Sequence, residues 1–198
     1  MVVLSSIVGK NEDLLPQILS IYGKNCFLIA DITYGNGNFW KNVDLTKYEF
    51  VPSDIKTNGI DFRNLPYENN WFDLVAFDPP YMHSSPTPIR ADLDKTYRNN
   101  DKGGWGAEYV YDLYRQGMKE AQRTLKPKGI MLVKCQDQVE SGKNYFDHIK
   151  IYNIATEELN LLVEDLFILT RTGTPMMRHN HQLHARKNHS YMWVFRKK

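Results

Sequence analysis

The chain has 198 residues, of which 42% are apolar, a length that suits one domain with a full core and is short for two. The formal net charge is only +2, but the last 33 residues contain seven basic side chains and no acidic one. This asymmetry favours a polyanion as the partner of the C-terminal segment, with a solvated basic tail as the alternative.

Cysteine content and the N-terminal residues indicate the compartment. Cys26 and Cys135 are the only cysteines, and each lies in an apolar run, which argues against a disulfide framework. The apolar residues 1–8 are too short to span a membrane and lead into charged residues rather than a cleavage site. We therefore expect a cytoplasmic protein that does not associate with a membrane.

In the first half of the chain, short β-rich runs alternate with amphipathic segments, which favours a parallel sheet covered by helices. The pattern predicts one helix and three strands, over 11–22, 26–33, 48–55 and 71–77. Asp31, Asp54 and Asp78 lie at or near the ends of these strands. In open α/β sheets, ligands bind at the edge formed by the carboxyl ends of the strands.

The second half continues the alternation. It predicts a helix over 109–125, a strand over 130–134, a helix over 144–159, and strands over 161–170 and 190–195. Residues 82–108 and 171–189 fit no element. Long loops inside a compact domain are usually functional or disordered.

The tetrapeptide Asp78-Pro79-Pro80-Tyr81 directly follows the third predicted strand. The exocyclic amine of adenine or cytosine is a poor nucleophile because its lone pair is delocalised into the ring. A rigid loop could offer two acceptors to the amine hydrogens, the Asp78 carboxylate and the Pro79 carbonyl, which strengthen as positive charge develops on nitrogen. Tyr81 offers a ring on which a base flipped out of a duplex can stack. A proline-rich turn without chemistry is the alternative.

A second motif follows the first predicted strand, Asp31-Ile32-Thr33-Tyr34-Gly35-Asn36-Gly37-Asn38-Phe39. Two glycines one residue apart allow the backbone to turn sharply and to approach a ligand closely. Trp40 stands where a dinucleotide fingerprint would have its third glycine, which argues against a nicotinamide cofactor.

With these two motifs, the chain resembles an amino-methyltransferase of the Rossmann-like S-adenosylmethionine-dependent superfamily. Residues 31–37 resemble the cofactor motif D-P-F-x-G-x-G, and residues 78–81 match the catalytic motif (D/N/S)-P-P-(Y/F/W). Residues 61–66 and 70–75 resemble the family's approach to the catalytic strand. Ile32 and Thr33 depart from the cofactor motif, where the family has Pro and Phe.

The resemblance spans most of residues 26–136 and, less specifically, 188–196. It implies an α/β fold of the class I methyltransferase type, with a mostly parallel seven-stranded sheet and helices on both faces. It also implies S-adenosylmethionine as the cofactor. We expect one catalytic domain over 1–198 and no separate target-recognition domain.

The resemblance assigns roles residue by residue. Asp78, Pro79, Pro80 and Tyr81 would be catalytic. Asp31, Gly35 and Gly37 would hold the methionine part of the cofactor, with Thr33 in the same loop. Asp54 would accept hydrogen bonds from the ribose hydroxyls, and Asp61 and Phe62 would flank the adenine. Each aspartate could instead cap a turn or a helix.

An aspartate at the head of the catalytic motif resembles adenine-N6 enzymes more often than cytosine-N4 enzymes. Adenine N6 in DNA is therefore the preferred target. The alternatives are cytosine N4 in DNA, adenine N6 in RNA, a glutamine amide in a protein, and a non-catalytic nucleic-acid-binding subunit. A small-molecule substrate is disfavoured because it leaves the basic tail without a role.

Target recognition is expected from residues 82–108 and from the basic C-terminal segment. The first segment mixes cations with aromatics, which suits flipped or single-stranded bases, although a solvated lid would look the same: Arg90, Lys95, Tyr97, Arg98, Lys102 and Trp105. Lys134, Gln136 and Asp137 end the strand after the long helix and could touch the base or cap the strand. A homodimer would suit a small enzyme on a DNA site, although no residue indicates one.

Four histidines near the C-terminus suggest a metal site at first sight: His179, His181, His184 and His189. There is no thiol nearby, and methyl transfer to an amine needs no metal. We therefore predict no metal. With Arg178, Arg186 and Lys187, these side chains better fit a surface that contacts a nucleic-acid backbone.

Overall fold

A computed structural model describes residues 2–83, 106–173 and 183–198. Seven strands form one sheet in the order β1-β8-β9-β5-β4-β2-β3, and β6 and β7 form a separate hairpin. The strands are β1 (Ser6–Val8), β2 (Leu28–Asp31), β3 (Glu49–Pro52), β4 (Phe72–Phe77), β5 (Leu125–Cys135), β6 (Gln138–Glu140), β7 (Lys143–Tyr145), β8 (Leu162–Thr170) and β9 (His189–Arg196). Only β9 runs antiparallel within the seven-stranded sheet.

The helices are α1 (Asn11–Tyr22), α2 (Ala107–Thr124) and α3 (Asp147–Asn153), and α3 continues into a π-helical segment over Ile154–Glu158. Short 3₁₀ turns occupy Asn38–Trp40 and Leu45–Lys47. None of the helices within the described ranges is long and apolar enough to cross a membrane.

The sheet is covered on both faces, as its strand sequences dictate. Side chains alternate along a strand, so Phe72, Val75 and Phe77 of β4 belong to one core and Leu74 and Ala76 to the other. Helix α2 packs on the first face and helix α1 on the second. The predicted α/β fold with a mostly parallel seven-stranded sheet is confirmed.

Element boundaries differ from the sequence-based expectation in two places. We predicted that residues 126–129 separate the long helix from the next strand, and this was wrong. Strand β5 begins at Leu125, which pairs with Phe72, and a register shift follows before Leu74 pairs with Ile130. Lys128 takes a positive φ of 66° in this irregular stretch, so the Lys-Pro-Lys-Gly run is an irregularity within a strand rather than a break.

The helix predicted over 144–159 is also shorter than expected. Residues up to Tyr145 belong to the β6–β7 hairpin, and the regular helix covers only Asp147–Asn153 before the π-helical segment. The hairpin turns at Ser141 and Gly142, both at positive φ. Strand β1 and this hairpin were missed because three-residue strands carry almost no periodicity.

Successive strands are added to the sheet on opposite sides of β2. From β2 the chain moves outward to β3, and then crosses back to β4 on the other side of β2. Such a switch point leaves a crevice outside the carboxyl ends of the two strands, which is where ligands bind in open α/β sheets. Strand β2 ends at Asp31, the first residue of the glycine motif, and β4 ends at Phe77, directly before Asp78.

Candidate active site

The glycine loop leaves β2 between its two neighbours in the sheet. Ile32 donates its backbone N–H to Ala76 O (3.1 Å), and Tyr34 donates to Ser53 O (3.1 Å). Gly35 and Gly37 then take φ of 55° and 69°, the left-handed region that side chains rarely adopt. The loop is therefore anchored to β4 and β3 before it turns.

The two glycines differ in the space beside them. A side chain at Gly37 would collide with the Tyr34 ring, whereas the space beside Gly35 is nearly open. Gly35 donates its N–H to Oδ2 of Asp54 (3.2 Å), so the loop and the end of β3 face the same crevice. A backbone without Cβ atoms beside a carboxylate is a suitable cradle for a ligand that carries hydroxyls and a positive charge.

Asp31 is buried at the base of this loop. Its Oδ2 accepts from Trp40 Nε1 (2.5 Å), and its Oδ1 accepts from the backbone N–H of Thr33 (2.8 Å) and from the Thr33 hydroxyl (3.2 Å). Burial raises the pKa of Asp31 to about 7, although the Trp40 and Thr33 hydrogen bonds oppose that shift. Asp31 therefore titrates near neutral pH.

Thr33 joins the glycine loop to the catalytic motif. Its Oγ1 accepts a hydrogen bond from the backbone N–H of Asp78 at 2.7 Å. The same hydroxyl donates to Asp31, so the beginnings of both motifs meet at one side chain.

Asp78 lies directly after β4, half-buried, and its Oδ2 is 3.1 Å from Nζ of Lys134 at the end of β5. The Lys134 ammonium also lies 5.5 Å from the centroid of the Tyr81 ring. Arg171, just after β8, donates to the Tyr81 hydroxyl (3.1 Å) and to Oε1 of Gln136 (3.4 Å). Pro79 is buried and Pro80 half-buried between these groups.

The remaining residues predicted to bind the cofactor are Asp54, Asp61 and Phe62, and each contacts other residues of the protein. Oδ1 of Asp54 accepts from the backbone N–H of Lys56 (2.8 Å), and Asp61 forms a fork with the Arg63 guanidinium. The side-chain hydrogen bond to Arg63 outweighs burial and lowers the pKa of Asp61. Phe62 packs edge-on against Phe77, 5.2 Å between ring centroids, on the same face as α2. Asp54 and Asp61 thus cap turns, as the alternative interpretation expected, and both remain half-exposed beside the crevice.

Lys134, Gln136 and Asp137 lie at or just after the end of β5, and the sequence left open whether they contact the base or cap the strand. Lys134 pairs with Asp78, whereas Gln136 connects Arg171 to Lys187 O (3.1 Å). Asp137 is buried and accepts from Tyr191 (3.3 Å) and His148 (2.7 Å). The pairing of β4 with β5 explains the Lys134 contact, but no local pattern in the sequence predicts it, and Arg171 carried no signal beyond its charge.

The basic C-terminal residues divide between two edges of the sheet. Because β9 is antiparallel, its last residues lie at the edge opposite the two motifs. There Lys197 donates to Leu125 O (2.7 Å) and Gln122 O (2.8 Å), and Arg196 pairs with Glu164. Lys198 at the same edge contacts Asn160, so Arg196, Lys197 and Lys198 lie away from the two motifs. A polyanion as the partner of the C-terminal segment stays a prediction.

Three described basic residues of the C-terminal segment lie at the edge of the sheet that carries the two motifs: Arg171, Arg186 and Lys187. The Lys187 ammonium lies 5.6 Å from the Phe146 ring centroid. His184 donates from Nε2 to Gly142 O (2.7 Å), and His189 contacts the Tyr191 hydroxyl (3.0 Å), so these two histidines have different partners. Across the described part of the chain, no group of three His, Cys, Asp or Glu side chains could hold a metal.

Several predicted recognition residues lie outside the described residues. They are Arg178, His179 and His181, and the basic and aromatic side chains expected from the loop after the catalytic motif: Arg90, Lys95, Tyr97, Arg98, Lys102 and Trp105. The two ends of that loop are joined, since Gly106 donates its N–H to His83 O at 2.8 Å. His83 itself is buried between Asp147 and Glu140.

The doubly covered sheet, the glycine loop at its switch point and the acidic, proline-rich turn beside it define an S-adenosylmethionine-dependent methyltransferase fold. The chain belongs to the DNA methylase family of N6/N4 amino-methyltransferases, whose model matches residues 72–198, and S-adenosylmethionine is that family's cofactor. The resemblance and the cofactor predicted from sequence are confirmed.

Solved structures share this fold at low sequence identity. A Pyrococcus horikoshii protein, PH0226, is 17% identical over 94% of this chain and 89% of its own, with a TM-score of 0.55. A Methanosarcina mazei S-adenosylmethionine-dependent methyltransferase is 10% identical over 91% and 96%, also at 0.55. The cytosine-N4-specific PvuII DNA methyltransferase is 15% identical over 67% of this chain and 45% of its own, at 0.50. No curated protein matches the chain.

Proposed function

We propose that this chain transfers a methyl group from S-adenosylmethionine to the N6 amine of a flipped adenine in DNA. The observation that carries the proposal is the hydrogen bond from the Asp78 N–H to Thr33, which joins the acidic turn after β4 to the glycine loop. The methyl group of the cofactor and an amine held by Asp78 would then lie close together in one crevice. Membership in the DNA methylase family supports DNA as the substrate.

The cofactor would be held at the end of β2. Gly35 and Gly37 would receive its methionine part close to the backbone, with Asp31 and Thr33 beneath. The half-exposed carboxylate of Asp54 is suited to the ribose hydroxyls, and Asp61 and Phe62 to the adenine. When bound, S-adenosylmethionine supplies an electrophilic methyl group on a positively charged sulfur.

The residues of the turn would act on the amine. The Asp78 carboxylate and the Pro79 carbonyl accept hydrogen bonds from its two hydrogens, and these bonds strengthen as nitrogen becomes positive. The methyl group would be supplied to nitrogen with loss of its bond to sulfur, and the Asp78 carboxylate would accept the surplus proton from nitrogen. Pro79 and Pro80 restrict the turn, and Tyr81 stacks on the base.

Cytosine N4 in DNA is the second candidate, because a solved structure with this fold is a cytosine-N4 methyltransferase. The aspartate at position 78 favours adenine only by analogy. Arg171, Arg186 and Lys187 at the same edge are suited to the phosphate backbone of either substrate. A homodimer stays a prediction, as does the assignment of residues 1–198 to one catalytic domain.

The test is tritiated methyl transfer from S-adenosylmethionine to unmethylated genomic DNA and, in parallel, to total RNA. The product nucleoside is identified by mass spectrometry. Asp112→Ala on the exposed face of α2 is the control for the same substitution at Asp78. N6-methyladenine in DNA with the wild type and the control, and none with Asp78→Ala, supports the proposal. N4-methylcytosine as the product, or labelled RNA, would show that the substrate is not adenine in DNA. Methyl transfer that persists in Asp78→Ala contradicts the mechanism.

A further inference from the structure

Lys134 is a buried cation beside the reacting groups. Its side chain is 3% exposed, at the end of β5, and its ammonium lies 3.1 Å from Oδ2 of Asp78. The backbone of the same residue is also fixed, because the Tyr114 hydroxyl donates to Lys134 O at 2.7 Å. Removing an ammonium from water costs several kcal/mol unless a well-placed anion compensates. The pair therefore holds both side chains in one arrangement.

We propose that Lys134 is a positioning residue, which fixes the ionised Asp78 carboxylate through Oδ2 and directs Oδ1 towards the substrate amine. The inference rests on the proposed function of Asp78. A carboxylate with one oxygen bound to a rigid cation loses rotational freedom and presents the other oxygen in one direction. Displacing a reacting group by 1 Å can lower the rate by about 100-fold.

The surroundings of the ammonium agree with this role. Burial lowers the pKa of Lys134, but Asp78 and Tyr81 raise it by more, so that its pKa stays above the ordinary value. The charged and titratable groups that face it are Asp78 and Tyr81 from the turn after β4, and Arg171 after β8, which acts in the opposite direction. Lys134 is thus charged throughout the range in which the enzyme would work.

The position of the ammonium near Tyr81 adds a second contact to the same turn. A cation within about 6 Å of an aromatic centroid is attracted to the ring face. Lys134 therefore touches both the first and the last residue of the catalytic tetrapeptide. A residue that only capped β5 would need neither contact.

The primary experiment measures kcat and KM for Lys134→Met, Lys134→Arg and the wild type. We expect Lys134→Met to lower kcat about 100-fold while KM for DNA and for S-adenosylmethionine changes less than threefold. Lys134→Arg should recover much of the loss, because it keeps the charge.

A control variant breaks a second, more exposed lysine–aspartate pair away from the site. Lys126 lies 2.7 Å from Asp73 at the opposite edge of the sheet, so Lys126→Met removes an ammonium from a carboxylate without touching the turn. Its kcat should stay within twofold of the wild type. An equal loss in Lys126→Met and Lys134→Met, or an unchanged kcat in Lys134→Met, overturns the inference.

A double-mutant cycle separates positioning from a general effect on folding. Asp78→Asn keeps the shape of the side chain but removes its charge, so Lys134 has no carboxylate to hold. If Lys134 acts through Asp78, Lys134→Met costs less than threefold in the Asp78→Asn background. Losses that multiply in the double variant contradict the inference. The double variant also leaves neither charge of the pair without its partner, so we expect it to keep the fold.

A measurement without activity distinguishes failure of this inference from failure of the proposed function. NMR of protein labelled with ¹³C at lysine Cε follows the titration of Lys134, assigned by its absence in Lys134→Met. Asp78→Asn should lower the pKa of Lys134, because burial then acts without the compensating carboxylate. An unchanged titration overturns the pairing whether or not methyl transfer is observed. Wild-type protein that methylates nothing, with the shift present, overturns only the proposed function.

Discussion

The Thr33 hydroxyl accepts the Asp78 N–H at 2.7 Å, and the same oxygen donates to Oδ1 of Asp31 at 3.2 Å. One side chain thus connects the end of β2 with the turn after β4 across the switch point of the sheet. Position 33 is also one of the two positions at which the chain departs from the cofactor motif that it resembles, which has Phe there. The hydroxyl gives this chain a polar link that a phenylalanine could not form.

Thr33→Val tests this link, because it removes the hydroxyl and keeps the shape of the side chain. The half-buried Asp78 N–H then loses its acceptor, which costs about 1–3 kcal/mol of stability. We expect a lower unfolding midpoint in urea and a reduced kcat. Thr33→Ser is the control and should retain most of both. A Val variant as stable and as active as the wild type would show that the link is dispensable.

Gly37→Ala tests the glycine loop. The left-handed φ of 69° costs an L-residue roughly 1–2 kcal/mol, and the added methyl collides with Tyr34. We expect affinity for S-adenosylhomocysteine, measured by calorimetry, to fall about tenfold or more. Gly142→Ala is the matched control, since it has a φ of 75° in the β6–β7 hairpin with open space around it. Equal affinities for the two variants contradict the assignment of the loop to the cofactor.

The burial of Asp31 predicts a pH dependence of stability. Its pKa is raised from 3.8 to about 7 by burial, so the folded chain holds a proton that the unfolded chain has lost between these values. The stabilisation is complete below about pH 4 and disappears as the pH rises through about 7. Relative to Asp31→Asn, the wild type should therefore lose on the order of 4 kcal/mol across this window. Urea unfolding at several pH values measures the difference, and a constant difference contradicts the prediction.

The two locations of the C-terminal basic residues predict different effects on DNA binding. Arg186 lies at the edge that carries the motifs, whereas Lys198 lies at the opposite edge against Asn160. Arg186→Ala should reduce the slope of log affinity against log salt concentration by about 0.9, the value for one phosphate contact in duplex DNA. Lys198→Ala, which removes the same charge, should leave the slope unchanged. Fluorescence anisotropy at several salt concentrations distinguishes the two, and equal slopes would contradict the division.

The sequence was most informative where local chemistry and strand periodicity coincide. Helix α1 could be predicted because its apolar residues recur with helical spacing. The ends of β2 and β4 could be predicted because buried runs stop at Asp31 and Asp78, each followed by residues that favour turns. The Lys134 contact could not, since it depends on the register between β4 and β5, which no local pattern encodes. The location of Lys197 and Lys198 could not be predicted for a similar reason, because the direction of β9 is a property of the whole sheet.

The most direct test of the central claim compares cofactor binding and methyl transfer in Asp78→Ala under single-turnover conditions. The account predicts that S-adenosylmethionine binds within a fewfold of its wild-type affinity, since the glycine loop is intact. It also predicts that methyl transfer to DNA falls by about 100-fold or more, because the amine loses the acceptor that strengthens in the transition state. Methyl transfer at the wild-type rate, with the cofactor bound, would contradict the account.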